Sequence, residues 1–271
     1  MKRLVALILF SMLTSSCGSL FGGSKEKSVR TVPPPPPIPQ EKYKPSPEER
    51  AEGYYQIGIS YLRIGEIPLA LNYFFKAEKL KSNDPKIYNA IGVAFIQRGD
   101  LDRAEEYIRK AIRLKPNFSE GYLNLGIVYE KRGDLKKAKE YYEKALSNPL
   151  YLTPEVAYYR LALLAERENQ TEKAKEYIVK ALRNNPDYIP AYLELAKILE
   201  GEGKDSKAQE IYLKLINLYP KMQYPYYRLS LIYIKKGKLQ LAEKFLKKCI
   251  RLDPTSDIGI KAKIKLEELN E

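Results

Sequence analysis

Histidine and tryptophan are absent from this 271-residue chain, and cysteine occurs only at Cys17 and Cys249. Without an imidazole, neither a Ser-His-Asp nor a Cys-His nucleophilic site can be assembled, and histidine-based zinc sites are excluded. Two cysteines in different segments indicate neither a disulfide framework nor a metal cluster. Gly18, Gly22, Gly23 and Lys25 lack the spacing of a phosphate loop, and no strand pattern precedes them. These absences predict a protein that is not an enzyme, with no cofactor, metal or small-molecule substrate. Its function is then expected to reside in a surface.

Long apolar runs are also missing. Lys2 and Arg3 precede a stretch from Leu4 to Leu13 that is apolar except for Ser11. As a helix it would rise about 15 Å, half of a bilayer core of roughly 30 Å. Residues 1–16 therefore read as an export signal, the alternative being an uncleaved anchor. Thr14-Ser15-Ser16-Cys17-Gly18 resembles a bacterial lipobox, departing from it where Thr14 replaces an aliphatic residue. That resemblance implies lipidation of Cys17 and a membrane-held protein, against plain secretory cleavage that leaves a free thiol. Gly18 after the cysteine favours the outer membrane, facing the periplasm, by analogy with enteric bacteria. Residues 17–48 include Pro33 to Pro37, Pro39, Pro45 and Pro47 and predict an extended tether.

From residue 49 the chain repeats itself every 34 residues, with starts at 51, 85, 119, 155, 189 and 223. Position 4 of each copy is Tyr (Tyr54, Tyr88, Tyr122, Tyr158, Tyr192, Tyr226), position 8 is small, and position 20 is Ala. Positions 4, 7, 8 and 11 have the spacing of one helical face, and positions 17, 20, 24 and 27 supply a second helix. Gly or Asn at position 15 predicts a left-handed turn between the two, and Pro116, Pro186, Pro220 and Pro254 predict where second helices stop. Positions 8 and 20 are expected to face each other where paired helices cross. This pattern resembles the tetratricopeptide repeat, with Tyr in place of the commoner Trp. It implies an all-α, right-handed solenoid of six helix pairs over residues 49–254, closed by a capping helix over 255–271. Cys249, at position 27 of the sixth copy, is expected to be a small buried hydrophobe.

The formal charge of +13 falls to about +11 once Lys2 and Arg3 leave with the signal. Lys and Arg alternate with Glu along the second helices, which predicts a solvated face and no nucleic-acid binding. The alternative is a mild attraction to anionic lipid or cell-wall polymer. Acidic pairs such as Glu105-Glu106 are expected to be surface ion pairs.

The first helices carry a second apolar stripe at positions 5, 9 and 12. Position 5 reads Tyr55, Asn89, Leu123, Tyr159, Leu193 and Tyr227; position 9 reads Ile59, Val93, Ile127, Leu163, Lys197 and Leu231. Leu62, Ile96 and Ile234 extend the stripe at position 12, where Glu130, Glu166 and Glu200 interrupt it. In a tetratricopeptide array this face lines the concave groove. Either neighbouring repeats cover the stripe, or it holds an apolar segment of a protein partner.

Between the third and fourth copies the step is 36 residues, through Asn148-Pro149-Leu150-Tyr151-Leu152-Thr153-Pro154. This junction, with the six copies and the lipobox-like Cys17, resembles the type IV pilus biogenesis lipoproteins of the PilF/PilW kind. The resemblance implies a pilotin, a lipid-anchored outer-membrane factor that binds secretin subunits and promotes their assembly. The other expectation is a general periplasmic scaffold for envelope or cell-wall assembly.

Overall fold

A computed structural model describes residues 44–270; the segment expected to be an export signal, Cys17 and nearly all of the segment expected to be a tether lie outside the described residues. Twelve helices form six antiparallel pairs: α1 (Pro47–Arg63) with α2 (Ile67–Leu80), α3 (Pro85–Arg98) with α4 (Leu101–Leu114), and α5 (Ser119–Lys131) with α6 (Leu135–Leu146). Then come α7 (Pro154–Arg167) with α8 (Thr171–Asn184), α9 (Ile189–Gly201) with α10 (Asp205–Leu218), and α11 (Gln223–Lys235) with α12 (Leu239–Leu252). A last helix, α13 (Asp257–Asn270), packs on α11 and α12. Each pair otherwise contacts the pairs before and after it, the arrangement of a stacked solenoid. Among the described residues no helix is long and apolar enough to cross a membrane.

The array starts at Pro47, inside the segment expected to be tether. Ser46 accepts from the Glu49 amide at 3.1 Å while the Glu49 carboxylate accepts from the Ser46 amide at 2.7 Å. This reciprocal cap, with Pro47 in the first turn, is sufficient to start a helix.

Every position-15 residue has positive φ, from Gly65 at 82° to Gly237 at 68°, and Asn169 at 57° takes the same role without being glycine. The cap residues Lys115, Asn185, Tyr219 and Asp253 leave helical geometry immediately before the four prolines, because a residue preceding Pro is pushed out of the α region.

Small residues at position 8 have a different cause from the one expected. A Cβ on Gly58 would lie 2.5 Å from the Phe74 ring, one on Gly92 2.5 Å from Ile108, and one on Gly126 2.3 Å from the Tyr142 ring. Position 8 thus faces position 24, and the position-20 alanine contributes its carbonyl, 3.2 Å away at Ala104. Three of the tyrosines of position 4 are anchored by their hydroxyls. Tyr88, Tyr122 and Tyr226 donate to the carbonyls of Ser82, Pro116 and Pro220 at 2.8, 2.8 and 3.1 Å, tying α3, α5 and α11 to the loops that precede them.

Glu105 is not the simple surface pair expected of it. It accepts from Tyr129 at 2.7 Å and Arg109 at 2.8 Å, and also from Arg132, so it joins the second repeat to the third. Burial raises its pKa, but the hydrogen bonds from Tyr129, Arg132 and Arg109 outweigh burial and bring it from 4.5 to about 2. Because the folded value is the lower one, this stabilisation is complete above 4.5 and is lost as pH falls toward 2. Glu105→Gln should therefore be less stable than the wild type at neutral pH and converge with it in acid unfolding followed by circular dichroism.

Candidate functional site

The stripe of positions 5, 9 and 12 divides into residues that the fold uses and residues that it does not. Leu62, Ile96 and Leu123 are buried in the core, at 9%, 7% and 9% exposure. Neighbouring helices account for them. Ile59, Val93, Ile127, Tyr55, Leu193, Tyr159 and Tyr227 are half-buried and lie against core clusters with one side. Leu163 and Leu231 are half-buried yet belong to none of those clusters. They are the expected apolar groove residues that stand outside those clusters.

Two polar members of the face are already occupied. Asn89 accepts from Asn124 at 2.9 Å, a side-chain bridge between the first helices of the second and third pairs. Tyr159 meets Tyr188 edge-on, with centroids 5.6 Å apart. Toward the amino-terminal end a cavity of about 350 Å³ is lined by Glu52, Tyr55, Gln56, Lys86, Asn89, Phe118 and Glu120. There the face is a hollow with charged walls, so the apolar stripe does not run unbroken from end to end.

The glutamates of position 12 form a feature that sequence reasoning did not find. Glu130 receives the Tyr142 hydroxyl at 2.5 Å and lies 3.2 Å from Arg167 and 3.6 Å from Arg160. Glu200 receives the Tyr212 hydroxyl at 2.6 Å and Arg228 at 2.6 Å. Both phenols are pushed above the usual tyrosine range, first by burial and then by the carboxylate they serve. The signal was present in the sequence: copies three and five alone combine Glu at position 12 with Tyr at position 24. Glu166, in the fourth copy, has a buried Oε1 with no hydrogen-bond partner.

The junction is built around one buried aromatic. Tyr151 is 8% exposed, packed with Tyr122 and Leu123, while Leu150 and Leu152 on either side are 79% and 86% exposed. Asn148 holds the turn, donating to the Asn117 carbonyl at 3.0 Å and to Ser119 at 3.1 Å, and accepting from the Leu150 amide at 3.0 Å. Extra residues are thus absorbed by an Asn-anchored loop without interrupting the stack.

Models of the tetratricopeptide repeat match residues 85–118, 119–148, 155–198, 190–221 and 224–256. The chain is a tetratricopeptide-repeat protein. No curated protein sequence matches it significantly. Among solved structures, this tetratricopeptide-repeat protein is similar to PilW, described as a widely conserved type IV pilus biogenesis factor. That match has 21% identity and a TM-score of 0.66 over 78% of this chain and 97% of the other. It is also similar to PilF of Pseudomonas aeruginosa, with 21% identity and a TM-score of 0.65 over 81% of this chain and 99% of that one. YrrB, described as having an unusual peptide-binding site, matches with 24% identity and a TM-score of 0.50 over 70% and 97% of the two chains. At these identities the likenesses establish the fold.

Proposed function

We propose that this tetratricopeptide-repeat protein is a non-catalytic assembly factor of the type IV pilus kind, a pilotin that takes up an apolar segment of a secretin subunit along the stripe of positions 5, 9 and 12. Lipid on Cys17 would hold it at the outer membrane, and the Pro-rich tether would let the array reach its partner. One observation carries the reading. The described array corresponds to nearly the whole length of both pilus proteins, 97% and 99%. The inserted junction, placed after the third pair, supports it as well. Leu163 and Leu231 are the natural anchors for an incoming segment, because no core cluster claims them and apolar side chains so placed gain from being covered.

The test uses Leu163→Asp together with Leu231→Asp in cells. Secretin multimers resolved on semi-native gels should fall at least about tenfold, since one lost apolar anchor at an interface commonly accounts for 1–2 kcal/mol. Protein level and helicity should stay unchanged. Full secretin assembly with the doubly substituted protein contradicts the reading.

A further inference from the structure

Position 12 is paired differently along the array. Leu62, Ile96 and Ile234 occur in copies with Phe74, Ile108 and Leu246 at position 24, apolar with apolar. Glu130 and Glu200 occur with Tyr142 and Tyr212, and each also has an arginine from position 6 of the next copy, Arg160 or Arg228. The fourth copy breaks the rule on both sides. Glu166 has Ile178 where a tyrosine would donate, and position 6 of the next copy is Glu194.

Two carboxylates therefore stand where the neighbouring copies place one carboxylate and one guanidinium. Glu194, 8% exposed, takes Lys197 at 2.7 Å. The Lys197 ammonium is favoured first by that hydrogen bond, with burial working against it, and at longer range by the charge of Glu166. The ammonium is bonded to Glu194 and acts on Glu166 only through its charge, and the buried Oε1 of Glu166 accepts no hydrogen bond. Leu163, on the preceding turn of α7, is the aliphatic residue that no core cluster uses. An unfilled acceptor and an uncommitted apolar side chain thus share one helix face.

We propose that Glu166 receives a basic side chain of the bound segment, an Arg or Lys next to an aliphatic residue that lies on Leu163. The inference rests on the groove reading above and specifies the chemistry of its occupant. Copies three and five show which donors this seat accepts when the chain fills it from within, and a guanidinium supplied by the partner reproduces the arginine half. Charge complementarity selects a basic occupant over an acidic or purely apolar one, because an acid would add a third carboxylate.

The full chain, immobilised, is panned with a displayed library of random peptides of about twelve residues, a length that reaches several repeats when extended. Sequencing should show enrichment of Arg or Lys beside Leu, Ile or Val. On Glu166→Gln the basic preference should vanish while the aliphatic preference remains. A synthetic copy of the leading peptide should bind Glu166→Gln about tenfold more weakly than wild type, with steeper loss in high salt for the wild type. Replacing its basic residue by Gln should cause the same loss on the wild-type protein, a comparison that does not depend on how the variant folds. Aliphatic peptides without a basic preference, or a basic preference that survives Glu166→Gln, overturn the inference and leave the groove standing. Peptides that bind Leu163→Asp as well as wild type, or no enrichment at all, overturn the groove reading together with the inference.

Discussion

Gly126→Val should destabilise the array by about 3 kcal/mol, read as a fall in the thermal midpoint and in the amide protection of the third helix pair. A Cβ at Gly126 comes within 2.3 Å of the Tyr142 ring, and Tyr142 is fully buried. That ring cannot swing away, because its hydroxyl is held by Glu130 at 2.5 Å. In the fifth copy Ala196 coexists with Tyr212, so one carbon is absorbed where the sequence provides for it. Valine adds a branched pair of methyls for which neither copy leaves room. The loss should exceed the modest gain from replacing a helical glycine. Gly53→Ala is the control. Nothing lies within 4 Å of a Cβ there, so the substitution should be stabilising by about 0.5–1 kcal/mol. Equal effects at Gly53 and Gly126 would contradict the packing described here.

Truncation after Pro254 should raise the reaction rate of Cys249 with a thiol reagent at least about a hundredfold, equivalent to roughly 3 kcal/mol of lost local stability. Cys249 is fully buried beside Leu246 and Ala262, with Ile258 and Leu266 of α13 covering the cluster. Burial pushes its thiol up to about 11, so at neutral pH it is both hidden and protonated. The covering helix is fixed by specific contacts. Gln223 donates to the carbonyls of Cys249 and Asp253 at 2.8 and 2.7 Å and accepts from Ser256 at 2.7 Å. Removing α13 exposes an apolar end face to water, a loss of about 1.5–3 kcal/mol for each large side chain uncovered. The first five pairs should remain folded, because repeat arrays lose stability locally. A thiol that stays inert after truncation would show that the last pair needs no cover.

Much of the architecture was legible because a 34-residue period states the same constraints six times. Position 15 required positive φ, and Gly or Asn stood there in every copy. Prolines marked the second-helix ends, and the closing helix α13 followed from the need to cover the last repeat. Local rules were harder to read. The role of position 8 depended on position 24, which only side-chain geometry reveals. The start at Pro47 was hidden by reading Pro as tether, although Ser46 and Glu49 already spelled a cap.

The candidate site was legible in outline only. Periodicity assigns residues to a face, but it cannot say how much of that face adjacent repeats cover. Leu62, Ile96 and Leu123 turned out to be core, while Leu163 and Leu231 remained uncommitted. Glu130, Glu166 and Glu200 read as interruptions of an apolar stripe. Their difference lies in partners contributed by other helices, Tyr142, Arg160, Tyr212 and Arg228, and in the absence of such partners at Glu166.

The central claim is that the face carrying Leu163 is the one a protein partner occupies. A photo-reactive amino acid placed at Leu163 in cells, compared with the same residue at the exposed Lys136 of α6, tests it most directly. Crosslinks from position 163 to a secretin subunit, with none from 136, are the predicted result. Crosslinks from 136 alone, or equal yields from both positions, would contradict it.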